Sequence, residues 1–133
     1  MVKVKDEGSR QEYRTGARRD NPEGKGKMNL LPAVSILRLS RWYEAGALKY
    51  GENNWQKGMP NSRYIDAALR HTFKYLAGCQ DEDHLSAAVW NLLAVAYNEH
   101  YMPEQQDIPQ LVGRKSPFIY ELDLGEDLTE KQS

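Results

Sequence analysis

The run from Leu30 to Trp55, LLPAVSILRLSRWYEAGALKYGENNW, constrains this chain more than any other stretch. Its helical part has the apolar density of a buried rod and holds one acid, Glu44. At roughly 100° per residue, Val34, Leu37, Arg41 and Leu48 fall on one stripe, and Glu44 lies beside it. Ile36, Leu39, Trp42 and Tyr43 occupy the other sides. A helix apolar nearly all round predicts burial on more than one face. A carboxylate in that setting needs a cation, a metal or a hydrogen-bond donor. Arg41 or Lys49 would meet the need, so spacing leaves an ion pair and a functional acid equally open.

The chain's 133 residues suit one domain with a real core. A formal net charge of -1 removes bulk attraction to nucleic acid or anionic membranes. No apolar run reaches bilayer length, and MVKVKDEGSRQEYR lacks the apolar core of a signal peptide. Cys79 is the only cysteine, which excludes an internal disulfide and a multi-cysteine zinc site. The expected compartment is reducing and cytoplasmic.

Residues 1–27 are polar and glycine-rich and predict an irregular arm without a helix or strand of its own. Within it, TGARRDNPEGKGKMN sets Arg18, Arg19, Lys25 and Lys27 among glycines that let backbone approach a ligand. These bases suit phosphate, or simply a solvated arm. A first helix is expected from near Pro32 to Gly51, proline being tolerated in a first turn and glycine favoured past the last. The loop ENNWQKGMP follows, where Asn53, Asn54 and Trp55 either read and stack a base or plug a gap.

A second helix should run from Asn61 or Ser62, as cap, to Gly78, with Ile65, Ala68, Leu69, Thr72 and Leu76 inward. His71 sits on the flank with Tyr64, Ala67 and Tyr75, and Asp66 and Arg70 can pair at i,i+4. A third helix should start at Asp81 as cap and run to about Tyr101, with Leu85, Val89, Leu92 and Ala96 in the core. His84, Asn91 and Asn98 recur every seven residues beside that stripe, lining either a cleft or the edge of the core. Residues 104–133 form a broken tail, whose piece FIYELDL would lie over the bundle or a second subunit and whose acidic end would be loose.

Cleaving a nucleoside triphosphate requires gathering a polyanion and activating water. Mg2+ or Mn2+ serves both ends with oxygen ligands, and bases hold the outer phosphates. Glu44, with Asp81, Glu82 and Asp83, is sufficient in kind, and Lys49 adds a cation. A His-Asp phosphohydrolase is excluded, because none of His71, His84 and His100 precedes an aspartate. The zinc-protease pair of histidines and the Gly-x-Ser-x-Gly elbow are also absent.

The blocks TGARRD, GKGK, LLP, YEAGALKYGENNW, SRYIDAALRH and DEDHLSAAVWN, in that order over Thr15 to Glu99, resemble the phage-associated dATP/dGTP diphosphohydrolase family. That family is grouped with the MazG-like, all-α nucleoside triphosphate pyrophosphohydrolases. Within it the likeness is to MazZ-type enzymes, which convert dGTP to dGMP and pyrophosphate in phages that replace adenine with 2-aminoadenine. The resemblance implies a single MazG-like helical bundle over 1–133 that assembles into a dimer or tetramer. It implies an Mg2+ or Mn2+ site drawn from Glu44, Asp81, Glu82, Asp83 and His84, with Glu44 and Asp83 catalytic. The second acid of the first helix is replaced by Ala47 and Leu48, and Asn91 stands where an acid is common. By the same likeness Arg19, Lys25 and Lys27 hold phosphates, and Asn54 and Trp55 lie near the nucleotide, while Lys49 is a substrate-side cation by its charge. Arg70, His71 and Asn91 join them as substrate-side residues.

The expected function is hydrolysis of dGTP, with GTP or dATP as further candidates, and no direct nucleic-acid or membrane partner. Two rivals stand beside it: a purine nucleotide-binding module without catalysis, and a phage helical interaction protein.

Overall fold

The computed structural model describes residues 8–122 and 124. The expected loose acidic end of the tail lies outside these residues. The chain divides between Leu30 and Leu31 into two compact units.

The first unit contains a small antiparallel hairpin, β1 (Arg10–Glu12) and β2 (Arg18–Asp20), in the register Arg10↔Asp20, Gln11↔Arg19 and Glu12↔Arg18. Opposite charges face each other across it, which favours this register. Gly16, at φ 87°, turns the chain, and its N–H donates to the Tyr13 carbonyl at 2.9 Å. The arm was expected to hold no strand. The strands are short and polar on both faces, so they carry no alternation to read.

The second unit is all-α. Its helices are α1 (Ala33–Tyr50), α2 (Asn61–Leu76) and α3 (His84–Tyr101), with short 3-10 turns at Asn54–Lys57, Pro103–Gln105 and Pro117–Glu121. Pro32 precedes α1, and Gly51, at φ 89°, ends it with its N–H on the Ala47 carbonyl at 2.9 Å, as the sequence predicts. Gly78, at φ 87°, likewise follows the end of α2.

Two caps differ from expectation. Neither Asn61 nor Ser62 caps α2 through its side chain. Asp107, from beyond α3, accepts the Ser62 N–H at 2.8 Å and the Ser62 hydroxyl as well. Asn61 instead turns inward, where its Oδ1 accepts from Asn98 Nδ2 at 2.8 Å. At α3 the cap is Asp83 rather than Asp81: it accepts the Ser86 N–H at 3.2 Å and the Ser86 hydroxyl at 2.7 Å.

The larger difference lies in which helix faces turn inward. On α2 the buried residues are Asn61, Tyr64 and Ala68, whereas the expected core residues Leu69 and Leu76 are 54% and 70% exposed. On α3 the polar line His84, Asn91 and Asn98 is buried together with Ala87, Ala88 and Ala94, while Leu85, Val89 and Leu92 are exposed. No residue of α1 is buried, and Val34, Leu37 and Leu48 are 79%, 68% and 85% exposed. Small side chains let α2 and α3 approach closely, and the buried polar groups find partners within the protein: Asn98 on Asn61, Asn91 on the Ala87 carbonyl, His84 on His71 and Asp81. The bulky apolar faces are left outward. In the tail, Ile119 is 1% exposed and anchors the turn at Pro117–Glu121. Among the described residues, no helix is long and apolar enough to cross a membrane.

Candidate active site and cation cluster

The start of α3 and the middle of α2 bring together the one imidazole–carboxylate group among the described residues with donor atoms close enough for a metal ion: His71, Glu82 and His84. His71 Nδ1 lies 2.9 Å from His84 Nδ1. Glu82 Oε1 stands 3.6 Å from the first and 3.7 Å from the second. His84 is 2% exposed, and its Nε2 is 2.8 Å from Asp81 Oδ1. An ionised Asp81 accepts a hydrogen bond from Nε2–H, which turns Nδ1 toward the cluster. Burial lowers the His71 pKa from its ordinary value, partly offset by Glu82, so that ring is neutral near pH 7. The donor set fits a divalent cation: two imidazole nitrogens and one carboxylate converge, with an acid behind one of the rings.

Three residues of α1 point the same way. Arg38, Trp42 and Lys49 lie within roughly 60° of one another around the helix. Arg38 chelates Asp83, through Nη2 to Oδ1 at 2.7 Å and Nε to Oδ2 at 2.9 Å. That guanidinium, with Ser86, holds the Asp83 carboxyl at about 2. Trp42 packs edge-on to the His71 ring, centroids 6.5 Å apart. Lys49 lies over the Tyr50 ring; its pKa is raised by Tyr50 first and, more weakly, by the charge of Glu82. Arg70 and Lys74 add positive potential at His71. The cluster is thus overlooked by cations from α1 and α2.

Glu44 does not join it. Two residues beyond Trp42, it lies about 160° away around α1. Its carboxylate is 65% exposed and 3.3 Å from Arg41 Nε, the ion pair that the sequence left open. It lines a separate cleft of about 350 Å³ with Tyr43, Gly46, Asn53, Asn54, Trp55 and Trp90. Tyr43 meets Trp55 and Trp90 with ring centroids 6.5 and 6.3 Å apart, and Trp55 meets Tyr97 at 4.8 Å. Trp55 therefore both fills a gap and walls a cleft. Trp90 follows His84 by six residues, which is about 9 Å along α3.

The remaining candidates take other places. Arg70 pairs with Asp66 at 2.9 Å on the surface. Asn91 is buried, and its Nδ2 donates to the Ala87 carbonyl at 2.8 Å, a contact within its own helix. Asp83 is occupied by Arg38 and the α3 N-terminus. In the first unit, Arg19 lies on β2, the Lys25 N–H bonds the Pro22 carbonyl at 3.2 Å, and Lys27 lines an open groove with Arg10, Asn21, Gly24 and Gly26.

Sequence reasoning did not single out Arg38, Lys74 or Trp90, nor Tyr43 as a cleft residue. Arg38 was findable, because it shares a helical face with Trp42 and Lys49. Trp90 was quoted within its block without a role.

The second unit is thus an all-α unit that carries an imidazole–carboxylate cluster and a separate cleft walled by aromatic rings. The chain belongs to the dATP/dGTP diphosphohydrolase family: the family model described as dATP/dGTP diphosphohydrolase, N-terminal, matches residues 15–108. No curated protein and no solved structure matches the chain.

Proposed function

We propose that this domain hydrolyses dGTP to dGMP and pyrophosphate. The convergence of His71, Glu82 and His84, under the positive potential of Arg70 and Lys74 at His71, carries this reading, and family membership supports the reaction class. Water adds at the α-phosphorus, the bond from that phosphorus to the oxygen bridging to the β-phosphorus breaks, and pyrophosphate leaves with that oxygen. A divalent cation, expected as Mg2+ or Mn2+, would be held by His71, Glu82 and His84, and when bound it would polarise the phosphate and acidify water. Lys49, Arg70 and Lys74 would screen the charge gathering on the leaving pyrophosphate.

The base would lie in the cleft walled by Tyr43, Trp55 and Trp90, whose faces offer stacking surface. There Glu44 suits guanine, because a carboxylate accepts from both N1–H and the N2 amino group of that base's edge. Asn54 adds an amide to the same rim. This differs from the catalytic role expected for Glu44 from the sequence, and it follows from the position of Glu44 away from the cluster. Asp83 is assigned to holding α1 against the start of α3, since both its oxygens are occupied.

The exposed apolar faces of α1, α2 and α3 support assembly with further copies of the chain, as a dimer or tetramer. The setting we assign is the cytoplasm of a phage-infected cell, where dGMP would feed modified-purine nucleotide synthesis.

Incubation with dGTP and Mn2+ or Mg2+, followed by anion-exchange analysis, tests the reaction. Equimolar dGMP and pyrophosphate are expected. Release of orthophosphate, or no turnover of any purine triphosphate, would overturn it; tight dGTP binding without product would make the chain a binding module.

A further inference from the structure

We infer that His71, Glu82 and His84 form a binding site for a transition-metal dication such as Mn2+, Co2+ or Zn2+ in preference to Mg2+, with Asp81 positioning His84 from behind. This assignment deepens the hydrolase reading above. Cation binding is measured without nucleotide, so the two stand or fall separately.

The donor types decide the preference. Imidazole nitrogen suits first-row transition metals, whereas Mg2+ favours oxygen and keeps much of its water. Of the donor atoms that converge here, those of His71 and His84 are nitrogens and that of Glu82 is an oxygen. Spacing agrees. With metal–nitrogen bonds of roughly 2.0–2.1 Å, neighbouring ligands of a tetrahedral site stand about 3.3–3.4 Å apart, a spacing that the three donor separations straddle. His71 Nδ1 and His84 Nδ1 are separated by 2.9 Å. The Glu82 oxygen, at 3.6 and 3.7 Å from these nitrogens, needs only a small side-chain shift to complete a triangular face.

The group is prepared rather than accidental. His84 is almost wholly buried, and the Asp81 carboxylate fixes which of its nitrogens carries the proton. That is the carboxylate–histidine arrangement by which proteins orient metal-ligating rings. His71 comes from another helix and is steadied by Trp42. Without a cation, the facing Nδ1 atoms stand at hydrogen-bond distance. A cation would take the place of the hydrogen bond between the two rings.

The set departs from the sequence expectation in a definite way. His71 moves from the substrate side to the metal, Asp81 moves behind His84, and Glu44 and Asp83 leave the ligand list.

The test uses the full chain, stripped with chelator and titrated with Co2+ while visible ligand-field absorption is recorded. Saturable, equimolar binding that persists in a large excess of Mg2+ is expected. Glu82→Gln and His71→Asn should each weaken Co2+ binding by at least about tenfold with unchanged helical circular dichroism. Asp81→Asn should weaken it by roughly 10–100-fold and shift the His84 ring tautomer in 15N spectra, a change that loss of packing alone would not produce. Binding displaced by equimolar Mg2+, or unaltered in both Glu82→Gln and His71→Asn, would overturn the assignment. If Co2+ binds as stated and dGTP stays intact, the hydrolase reading alone fails. If dGTP is cleaved and both variants keep full Co2+ affinity, the metal assignment alone fails.

Discussion

Arg38 holds both carboxylate oxygens of Asp83, at 2.7 and 2.9 Å, and so ties α1 to the first turn of α3. The pair spans 45 residues of chain, and the same carboxylate caps α3 through Ser86. A bidentate geometry makes this contact more specific than an ordinary surface ion pair. Asp83→Ala should cost about 1 kcal/mol through the lost cap alone. Arg38→Met should leave the α3 cap intact while loosening α1. Urea unfolding of both single variants and the double variant checks this. Fully additive losses would show that the two residues are not coupled.

Glu44→Gln discriminates base reading from catalysis. Assigned to the guanine edge, Glu44 should affect recognition rather than chemistry. The substitution replaces one acceptor oxygen by a donor, so KM for dGTP should rise about tenfold or more while kcat is largely kept. Steady-state kinetics with dGTP and dATP decide it. A collapse of kcat at unchanged KM would return Glu44 to the catalytic role that the resemblance implies.

The Asp107–Ser62 contact predicts a pH dependence of stability. Hydrogen bonds from Ser62 hold the Asp107 carboxyl below its ordinary value. A carboxylate whose folded pKa is depressed stabilises the fold above its unfolded pKa of about 3.9, and this contribution is lost as pH falls through the lower folded value. Asp107→Asn should therefore lower Tm at pH 7 and narrow the gap to the wild type as the medium becomes acid. Thermal melts across that range test it, and an equal gap at every pH would rule the ion out as the cause.

The outward apolar faces should make the chain self-associate. Leu48, on α1, is 85% exposed, and Phe73, on α2, is 66% exposed. Leu48→Glu combined with Phe73→Glu should shift light-scattering mass toward the monomer. A wild-type chain that is monomeric at all accessible concentrations would defeat the prediction.

A side chain at Gly58 should strain the backbone. It sits at φ 86°, and an added Cβ would stand 2.6 Å from Met102 Cε. Left-handed backbone costs a non-glycine residue roughly 1–2 kcal/mol, and Met102 would have to move as well. Gly58→Ala should lower stability by at least that amount in chemical denaturation.

Much of the second unit was legible in the sequence because its boundaries are local. Pro32, Gly51, Gly78 and Pro103 bracket the helices through φ preferences and missing donors, which act over a few residues. The heptad of His84, Asn91 and Asn98 was visible too, as was the i,i+4 pairing of Asp66 with Arg70. Tertiary structure alone decided which side of each helix turned inward. Periodicity reports that a helix has an apolar face, but not whether its own chain covers that face. Here α2 and α3 meet through alanines, asparagines and imidazoles, and the leucine faces are left for other partners. The same choice turned His71 toward His84 and left Glu44 in the aromatic cleft. Residues 13 apart can share a proton or a cation only when two helices cross at that point, and no spacing along the chain records the crossing.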